Sequence, residues 1–264
     1  MPENQDEFRF LDRFWEGASR ETVIRELHRW GQVELLPIVQ ETIQILKVLK
    51  DDFHKKKIRE LRRRWPKYED RFVVDLDDTH QLKAAQGLLE KMVREWVDTG
   101  RTSAPLRPDN YRTEMPDAIR LRFIVNFLSD GQSLFRLLCR RLSRAGTDLN
   151  RAFDVDPGTK KCSVHTQLNK RSKGERSWKI RLIHRATRVK IELQVCTQFQ
   201  VAWDKKEHFM IYEPKRIGVE PSEGHLILMR HLSDQLYVVD RELDEVHRSV
   251  LDHLEAHRRE DDNA

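Results

Sequence analysis

A mixed β-sheet flanked by helices, with helical arms at both ends, is the α/β architecture this sequence predicts. Three observations carry that expectation. The first hundred residues have helical periodicity. The stretch from about 120 to 197 changes to apolar/polar alternation, interrupted by one amphipathic helix, and the last forty residues return to a helical repeat. Strands joined by hairpins alternate with helices, so the sheet should be mixed rather than purely parallel. The resulting division is a helical region over 1–100, an α/β core over 101–220 and a long helix with a tail over 221–264.

Asp6 to Trp15 is a short amphipathic piece. Ser19 is an expected N-cap for a helix to Trp30, with Gly31 as its stop. A longer helix follows from Pro37 to Arg64, with Leu36, Val39, Ile43, Leu46 and Phe53 along one stripe. It ends in a basic run, Lys55 to Arg64, which suits a helix C-terminus and reads as a solvated face or as a phosphate-binding patch. Asp77 or Asp78 should cap a fourth helix ending near Gly100. Thr102 to Pro116 reads as a loop. Leu121, Phe123, Val125 and Phe127 then alternate as a strand, and Ser133 to Leu142 forms an amphipathic helix. Cys162 to Leu168 alternates again. Trp178 to Ile183 and Val189 to Val195 form a hairpin, followed by a helix from Gln198 to Tyr212. In the final helix Met229, Leu232, Leu236, Val239, Leu243, Val246 and Val250 follow 3-4 spacing. That heptad seam suits a homo-oligomer contact or packing on its own domain. Arg258 to Ala264 reads as a frayed tail.

Composition narrows the function. The chain has 264 residues, is 38% hydrophobic and carries 49 Lys+Arg against 44 Asp+Glu, for a net +5. It can build a core, and the mild positive charge permits an anionic ligand. No stretch nears the roughly 18 uninterrupted apolar residues of a membrane helix, so no membrane partner is expected. MPENQDEFRF lacks the basic start and apolar run of a secretory signal, and Cys139, Cys162 and Cys196 are too widely spaced for a disulfide framework or zinc knuckle. The expected location is the cytoplasm.

Asp75, Asp77 and Thr79 match the Asp-x-Asp-x-Thr signature of haloacid-dehalogenase-type phosphatases. That chemistry needs a buried strand before the motif, where the polar WPKYEDRF stands, so capping is the simpler role. The stronger signal is VKIELQVCTQFQVAWDKKEHFMIY, residues 189–212. On its strand Val189, Ile191, Leu193 and Val195 point one way, and Lys190, Glu192, Gln194 and Cys196 the other. On the helix, Asp204 and His208, and His208 and Tyr212, are i,i+4 neighbours. Carboxylate, imidazole and phenol therefore share a face.

This segment resembles the synthetase domain of RelA/SpoT-type alarmone synthetases, especially the small single-domain kind. Glu192, Gln194, Thr197, Trp203, Glu207, His208 and Tyr212 match the family's E-x-Q-x-R-T and W-A-x-x-E-H-x-x-x-Y motifs in register, with Cys196 in place of Arg and Asp204 in place of Ala. Upstream, DAIRLRFIV resembles D-I-A-G-I-R-I-x-V through Asp117, Arg122 and Val125, with Arg120 at the Gly position. KKCSVH resembles G-Y-x-S-x-H through Ser163 and His165, with Lys160 and Lys161 at the Gly and Tyr positions. Arg101, Arg107 and Arg112 are the candidates for the family's basic loop.

The resemblance implies a nucleotidyltransferase-like synthetase domain. It also implies transfer of the β,γ-pyrophosphate of ATP to the 3′-hydroxyl of GDP or GTP with Mg2+. The alternatives are transfer to an RNA or tRNA 3′ end, as in toxic relatives, and nucleotide or RNA binding without turnover. By resemblance, Asp117 and Glu192 are metal partners and catalytic groups, and Gln194 positions the acceptor. Arg122, Lys161, Ser163, His165, Lys190, Glu207, His208 and Tyr212 contact substrate. Because Lys161 cannot stack on a base as a tyrosine does, weakened guanine preference is expected, unless Tyr111 or Trp178 fills that slot.

Overall fold

The structure is a computed structural model and describes residues 5–66, 74–77, 81–157, 169–170, 176–216 and 218–262. The N-terminal helices are α1 (Gln5–Phe14), α2 (Arg20–Trp30) and α3 (Leu36–Arg64). Ser19 caps α2 by accepting from the Thr22 N–H, as expected. Gly31 does not stop the helix. It has φ −56°, an ordinary helical value, and a π-helical turn (Gly31–Leu35) carries α2 directly into α3. The extra residue of that turn turns the apolar stripe, so Trp30, Leu35, Ile38 and Val39 are all buried.

The first hundred residues are not all helical. Val74–Asp77 is strand β1, so Asp77 caps no helix. Helix α4 (Ala85–Asp98) begins after Ala84 with no side-chain cap. β1 lies at one end of the sheet and runs antiparallel to β2 (Ile119–Val125), and Asp75 is exposed on it. A phosphatase nucleophile at the end of a buried strand is therefore not what this motif forms; Thr79 lies outside the described residues. The Thr102–Pro116 loop contains one helical turn, α5 (Tyr111–Glu114).

Helix α6 (Leu128–Ser143) and the short α7 (Asp148–Ala152) follow β2. Strands β3 (Phe153–Val155), β4 (Asn169–Lys170), β5 (Arg176–His184) and β6 (Lys190–Thr197) complete the sheet. Strand order is β1-β2-β6-β5-β3, with β4 paired to β5. β2 and β6 are parallel and the other pairs antiparallel, so the sheet is mixed, as expected. The expected Cys162–Leu168 strand lies outside the described residues.

Leu121, Phe123, Ile191, Leu193, Val195 and Ile180 point into one core shared with α6 and the N-terminal helices. α6 approaches the sheet closely at Gly131, where any Cβ would collide with the Trp178 ring. Gly131→Ala would force one of the two elements apart.

β6 leads into α8 (Gln198–Glu207) through a capping box, Thr197 accepting from the Gln200 N–H and Gln200 reaching back. A π-helical turn (His208–Tyr212), α9 (Glu213–Arg216) and the forty-residue α10 (Glu223–Asp262) complete the chain. α10 continues well into the stretch read as a frayed tail, where Arg258 donates to the Arg63 carbonyl.

α10 docks through a small apolar cluster, Met229, Leu226 and Leu236 on Trp203 and Ile211, and otherwise through polar groups. Trp203 Nε1 donates to the Met229 carbonyl at 2.9 Å, and Arg176 pairs with Asp234 and stacks over Tyr237. Asp244 accepts from the Ser129 N–H and hydroxyl, and His247 stacks on Phe127 with centroids 3.9 Å apart. Arg64 pairs with Asp252 and Glu255, which ties the end of the α3 basic run to α10.

Asp240 accepts from the Thr197 hydroxyl at 2.5 Å and is buried. Burial pushes its carboxyl up to about 6, against the Thr197 hydrogen bond and with help from Asp244. The folded protein therefore holds this proton at a pH where the unfolded chain releases it. The contribution of this group to stability falls as pH rises from about 4 to about 6. Asp240→Asn is expected to raise stability at pH 7.5 by about 1–2 kcal/mol, allowing for solvent screening, and to remove that part of the pH dependence. Urea unfolding of both proteins at pH 4.5 and 7.5 checks this; equal gains at the two pH values would contradict it.

Candidate functional site

The face of the sheet opposite the core holds charged residues in register. On parallel β2 and β6, Arg120 lies opposite Glu192 and Arg122 opposite Gln194. On β5, Arg181 lies opposite Glu192 and Lys179 opposite Gln194. On β1, Asp77 lies opposite Arg122. The alternation that buries Ile191, Leu193 and Val195 thus aims this row the other way. Glu192, Gln194 and Cys196 are nevertheless buried, because neighbouring side chains and helix α8 close over them.

Asp117, two residues ahead of β2, joins Glu192 in one cluster. Lys91 of α4 reaches its Oδ1 at 2.5 Å, and Lys83 reaches its Oδ2 at 3.2 Å. Arg120 spans the two acids: its guanidinium is 3.5 Å from Asp117 Oδ2 and 3.0 Å from Glu192 Oε1. Gln194 Nε2 donates to Glu192 Oε1 at 2.6 Å, and Lys179 stands 3.6 Å from the same oxygen.

Gln194 Oε1 accepts from Arg122, which also pairs with Asp204 of α8 at 2.6 Å. The Asp204 that departs from the resembled motif is thus the anchor of Arg122.

These cations set the protonation states. Burial pushes Asp117 up, but Lys83, Lys91 and Arg120 outweigh it and hold the carboxyl at about 2. Burial likewise opposes ionisation of Glu192, yet Lys179, Arg120 and the Gln194 hydrogen bond hold it below the ordinary carboxylate value. Burial pulls the Lys83 ammonium down, only partly offset by Asp117. Both acids are therefore ionised at neutral pH, inside a positive surround. That arrangement can accept a proton from a hydroxyl and hold phosphate oxygens.

As folded, the donor set does not suit a protein-held magnesium ion. Both Asp117 oxygens and Glu192 Oε1 are engaged by cations, and Arg120 lies between the two acids. Magnesium usually takes one or two carboxylates beside waters and substrate phosphates, so Asp117 and Glu192 would hold it only with Arg120 displaced from between them.

No protein-family model matches the chain, and no curated protein matches it in sequence. Solved structures do match. The small alarmone synthetase 1 from Bacillus subtilis superposes with a TM-score of 0.51 at 19% identity, over 85% of this chain and 99% of that one. The chain has the small alarmone synthetase fold. A second structure of that protein, bound to its product pppGpp, gives a TM-score of 0.52 at 19% identity, over 83% of this chain and 98% of that one. At this identity the likeness is one of fold.

Within this synthetase fold the residues expected from sequence fall into three groups. Asp117, Arg122, Glu192 and Gln194 come together as described. Lys190 shares the Glu192 side of β6 but pairs with Glu114 of α5 at 2.6 Å. Glu207, His208 and Tyr212 lie at the end of α8 and on its π turn. There the His208 and Tyr212 rings sit 4.7 Å apart, and His208 is exposed beside Glu213. The expected His208–Tyr212 contact forms, whereas the Asp204 carboxylate expected beside them pairs with Arg122; what His208 touches is Tyr212 and Glu213. Lys161, Ser163 and His165 lie outside the described residues.

Trp203 and Thr197, which also match the motif, hold α10 and cap α8. Arg101, Arg107 and Arg112 pair with Asp6, Asp109 and Glu34. Sequence reasoning missed Lys83, Lys91, Lys179 and the bridging role of Arg120. Lys91 carried a readable signal: it stands among Leu88, Met92 and Trp96 on the buried side of α4, where an ammonium needs a partner.

Proposed function

We propose that the chain is a nucleotide pyrophosphokinase that moves the β,γ-pyrophosphate of ATP to the 3′-hydroxyl of a guanine nucleotide. The observation that supports this most is the pairing of ionised Asp117 and Glu192 inside a ring of Lys83, Lys91, Arg120 and Lys179. Glu192 takes the hydroxyl proton. The acceptor oxygen bonds to the β-phosphorus as the bridge to the α-phosphate breaks, and AMP leaves. Gln194 holds Glu192 in orientation, and the cations offset charge on the phosphates. Magnesium is expected on the ATP phosphates, as part of the donor. Ser163, His165 and Lys161 are expected substrate contacts by resemblance. AMP release from ATP, measured with and without GDP or GTP, tests the reading. Acceptor-dependent release is expected; release that ignores the acceptor would contradict it.

An RNA 3′ end as acceptor is favoured by one observation. Tyr111 is fully buried, with its ring centroid 5.0 Å from that of Trp30, and Trp178 packs against Gly131 on the core side. Neither aromatic can supply a base platform on the charged face. Guanine preference should accordingly be weak, since stacking on one aromatic is worth about 1–3 kcal/mol per base. Acceptor competition at two salt concentrations checks this. Strong, salt-insensitive preference for GDP or GTP over adenine nucleotides would contradict it.

Self-association through α10 belongs to the same proposal. Leu232, Val239, Leu243, Val246 and Val250 of the seam are exposed, in line with exposed Phe209, Met210 and Leu228. A stripe of this kind is expected to be covered by a second copy. Light scattering on the full chain should report a dimer or larger; a monomer at micromolar concentration would overturn the expectation.

A further inference from the structure

We propose that the outward side of the C-terminal half of α3, together with the last turn of α6, docks the phosphate backbone of a double-stranded RNA stem. The proposal goes beyond the pyrophosphokinase reading and stands without it.

Lys55 to Arg64 holds seven cations and one acid, Glu60, and helical spacing sorts them onto two sides. On the inner side Lys57 meets Asp130 of α6 at 2.9 Å, and Arg64 meets Asp252 and Glu255 of α10 at 3.5 and 3.4 Å. Glu60, at the border, lies 3.9 Å from Lys57. α10 carries further acids at its end, Glu260, Asp261 and Asp262, and it meets α3 on the Arg64 side. Lys55, Lys56, Arg59 and Arg63 turn the other way. They are exposed and pair with no carboxylate among the described residues, whereas Arg62, on the same side, is already engaged. The acid that shares this side, Asp52, is held by Arg141 of α6 at 2.9 Å. That pair draws in the end of α6, where Arg140 and Arg144 are exposed.

The residues of this face select the ligand. The four cations span about 12 Å of a straight rod, and each can neutralise a phosphate and release its counterions. Single strands are held by stacking their bases on aromatic side chains, and no exposed residue of α3 from 48 to 63 is aromatic. Base edges in a DNA major groove are read by amides and hydroxyls beside arginine, and this stretch exposes neither. A lipid surface takes a helix with an apolar side next to its cations. The one exposed large apolar side chain of α3, Val48, lies two turns before Lys55. Duplex RNA fits the remaining chemistry, because it is recognised by shape and phosphate contacts across a wide, shallow groove. α3 and α6 pack on the core side of the sheet, so a stem docked here leaves the Asp117–Glu192 side open to nucleotide.

The test is fluorescence anisotropy of the full chain, without ATP, on a labelled RNA stem of about 20 base pairs. Single-stranded RNA, a DNA duplex of the same sequence and vesicles containing phosphatidylserine compete in turn. The stem should bind most tightly and lose about 100-fold in affinity between about 50 and 200 mM salt, as four neutralised phosphates require. Lys55→Gln, Lys56→Gln, Arg59→Gln and Arg63→Gln together keep a good helix former at each position. They should remove most of that salt dependence and weaken binding by about tenfold or more at about 100 mM salt. Changing the exposed Arg9, Arg25, Arg29 and Arg230 to Gln lowers the net charge equally and should alter binding by no more than about twofold. Thermal melts check the fold of both variants, and the wild-type salt and ligand comparisons hold without them. A stem bound no better than single-stranded RNA, DNA or vesicles, binding insensitive to salt, or a control variant that loses as much as the α3 variant would each overturn the proposal. AMP release from ATP is scored separately. Stem binding without acceptor-dependent AMP release leaves this face standing and removes the pyrophosphokinase reading. AMP release without stem binding removes this proposal alone.

Discussion

Glu192→Gln is expected to lower acceptor-dependent AMP release by about 10²- to 10⁴-fold while leaving the protein folded, the usual loss for a general base. The substitution is isosteric. It removes the negative charge, and the carboxamide can still meet Gln194 and Arg120. The cations that hold Glu192 ionised also limit its basicity. The wild-type rate should therefore fall with acid only below the ordinary carboxylate range. Single-turnover rates beside thermal melts separate chemistry from folding. A folded Glu192→Gln variant with near-normal turnover would remove Glu192 from its role.

Asp117→Asn has the larger expected effect on stability. Its carboxylate is the partner of Lys91, whose side chain is 10% exposed, and of Lys83. Removing the charge leaves those ammonium groups facing an amide, with an expected loss of about 3 kcal/mol. Its acid dependence has a definite sign. The carboxyl sits at about 2 in the fold against an ordinary 3.8, so its contribution is complete above pH 4 and is lost as pH falls toward 2. That contribution amounts to about 2 kcal/mol. Urea unfolding at pH 7 and pH 3 should show Asp117→Asn weakened at pH 7 and closer to wild type at pH 3. An equal gap at both values would mean that the ion pairs contribute little.

Much of this was legible before the structure, for identifiable reasons. Alternation along 189–197 needs no tertiary information, and it separated the core residues from Glu192 and Gln194. The hairpin and the mixed sheet followed from the same period. Strand β1 was not legible: four residues with Val74 and Leu76 inward are too short for a pattern, and only pairing with β2 makes them a strand. Gly31 looked like a stop because glycine often ends helices, yet here it takes ordinary helical angles. Much of the docked face of α10 escaped notice because beyond Met229 and Leu236, which pack on Trp203 and Ile211, it binds through Ser233, Asp240 and Asp244. Apolar periodicity picked out a seam of which Met229 and Leu236 pack on this chain, while Leu232, Val239, Leu243, Val246 and Val250 stay exposed. At the site, the two acids were found from sequence, but Lys83, Lys91 and Lys179 arrive from separate elements and are brought together by the fold.

The central claim is that this charged face transfers pyrophosphate, and one measurement addresses it most directly. Purified protein is incubated with magnesium and ATP labelled in its β- and γ-phosphates, together with GDP, GTP, adenine nucleotides and tRNA in turn. Label should move to the 3′-hydroxyl of at least one acceptor with one AMP released per transfer, and Glu192→Gln should abolish that movement. A folded wild-type protein that binds ATP yet transfers label to none of these acceptors would contradict the account.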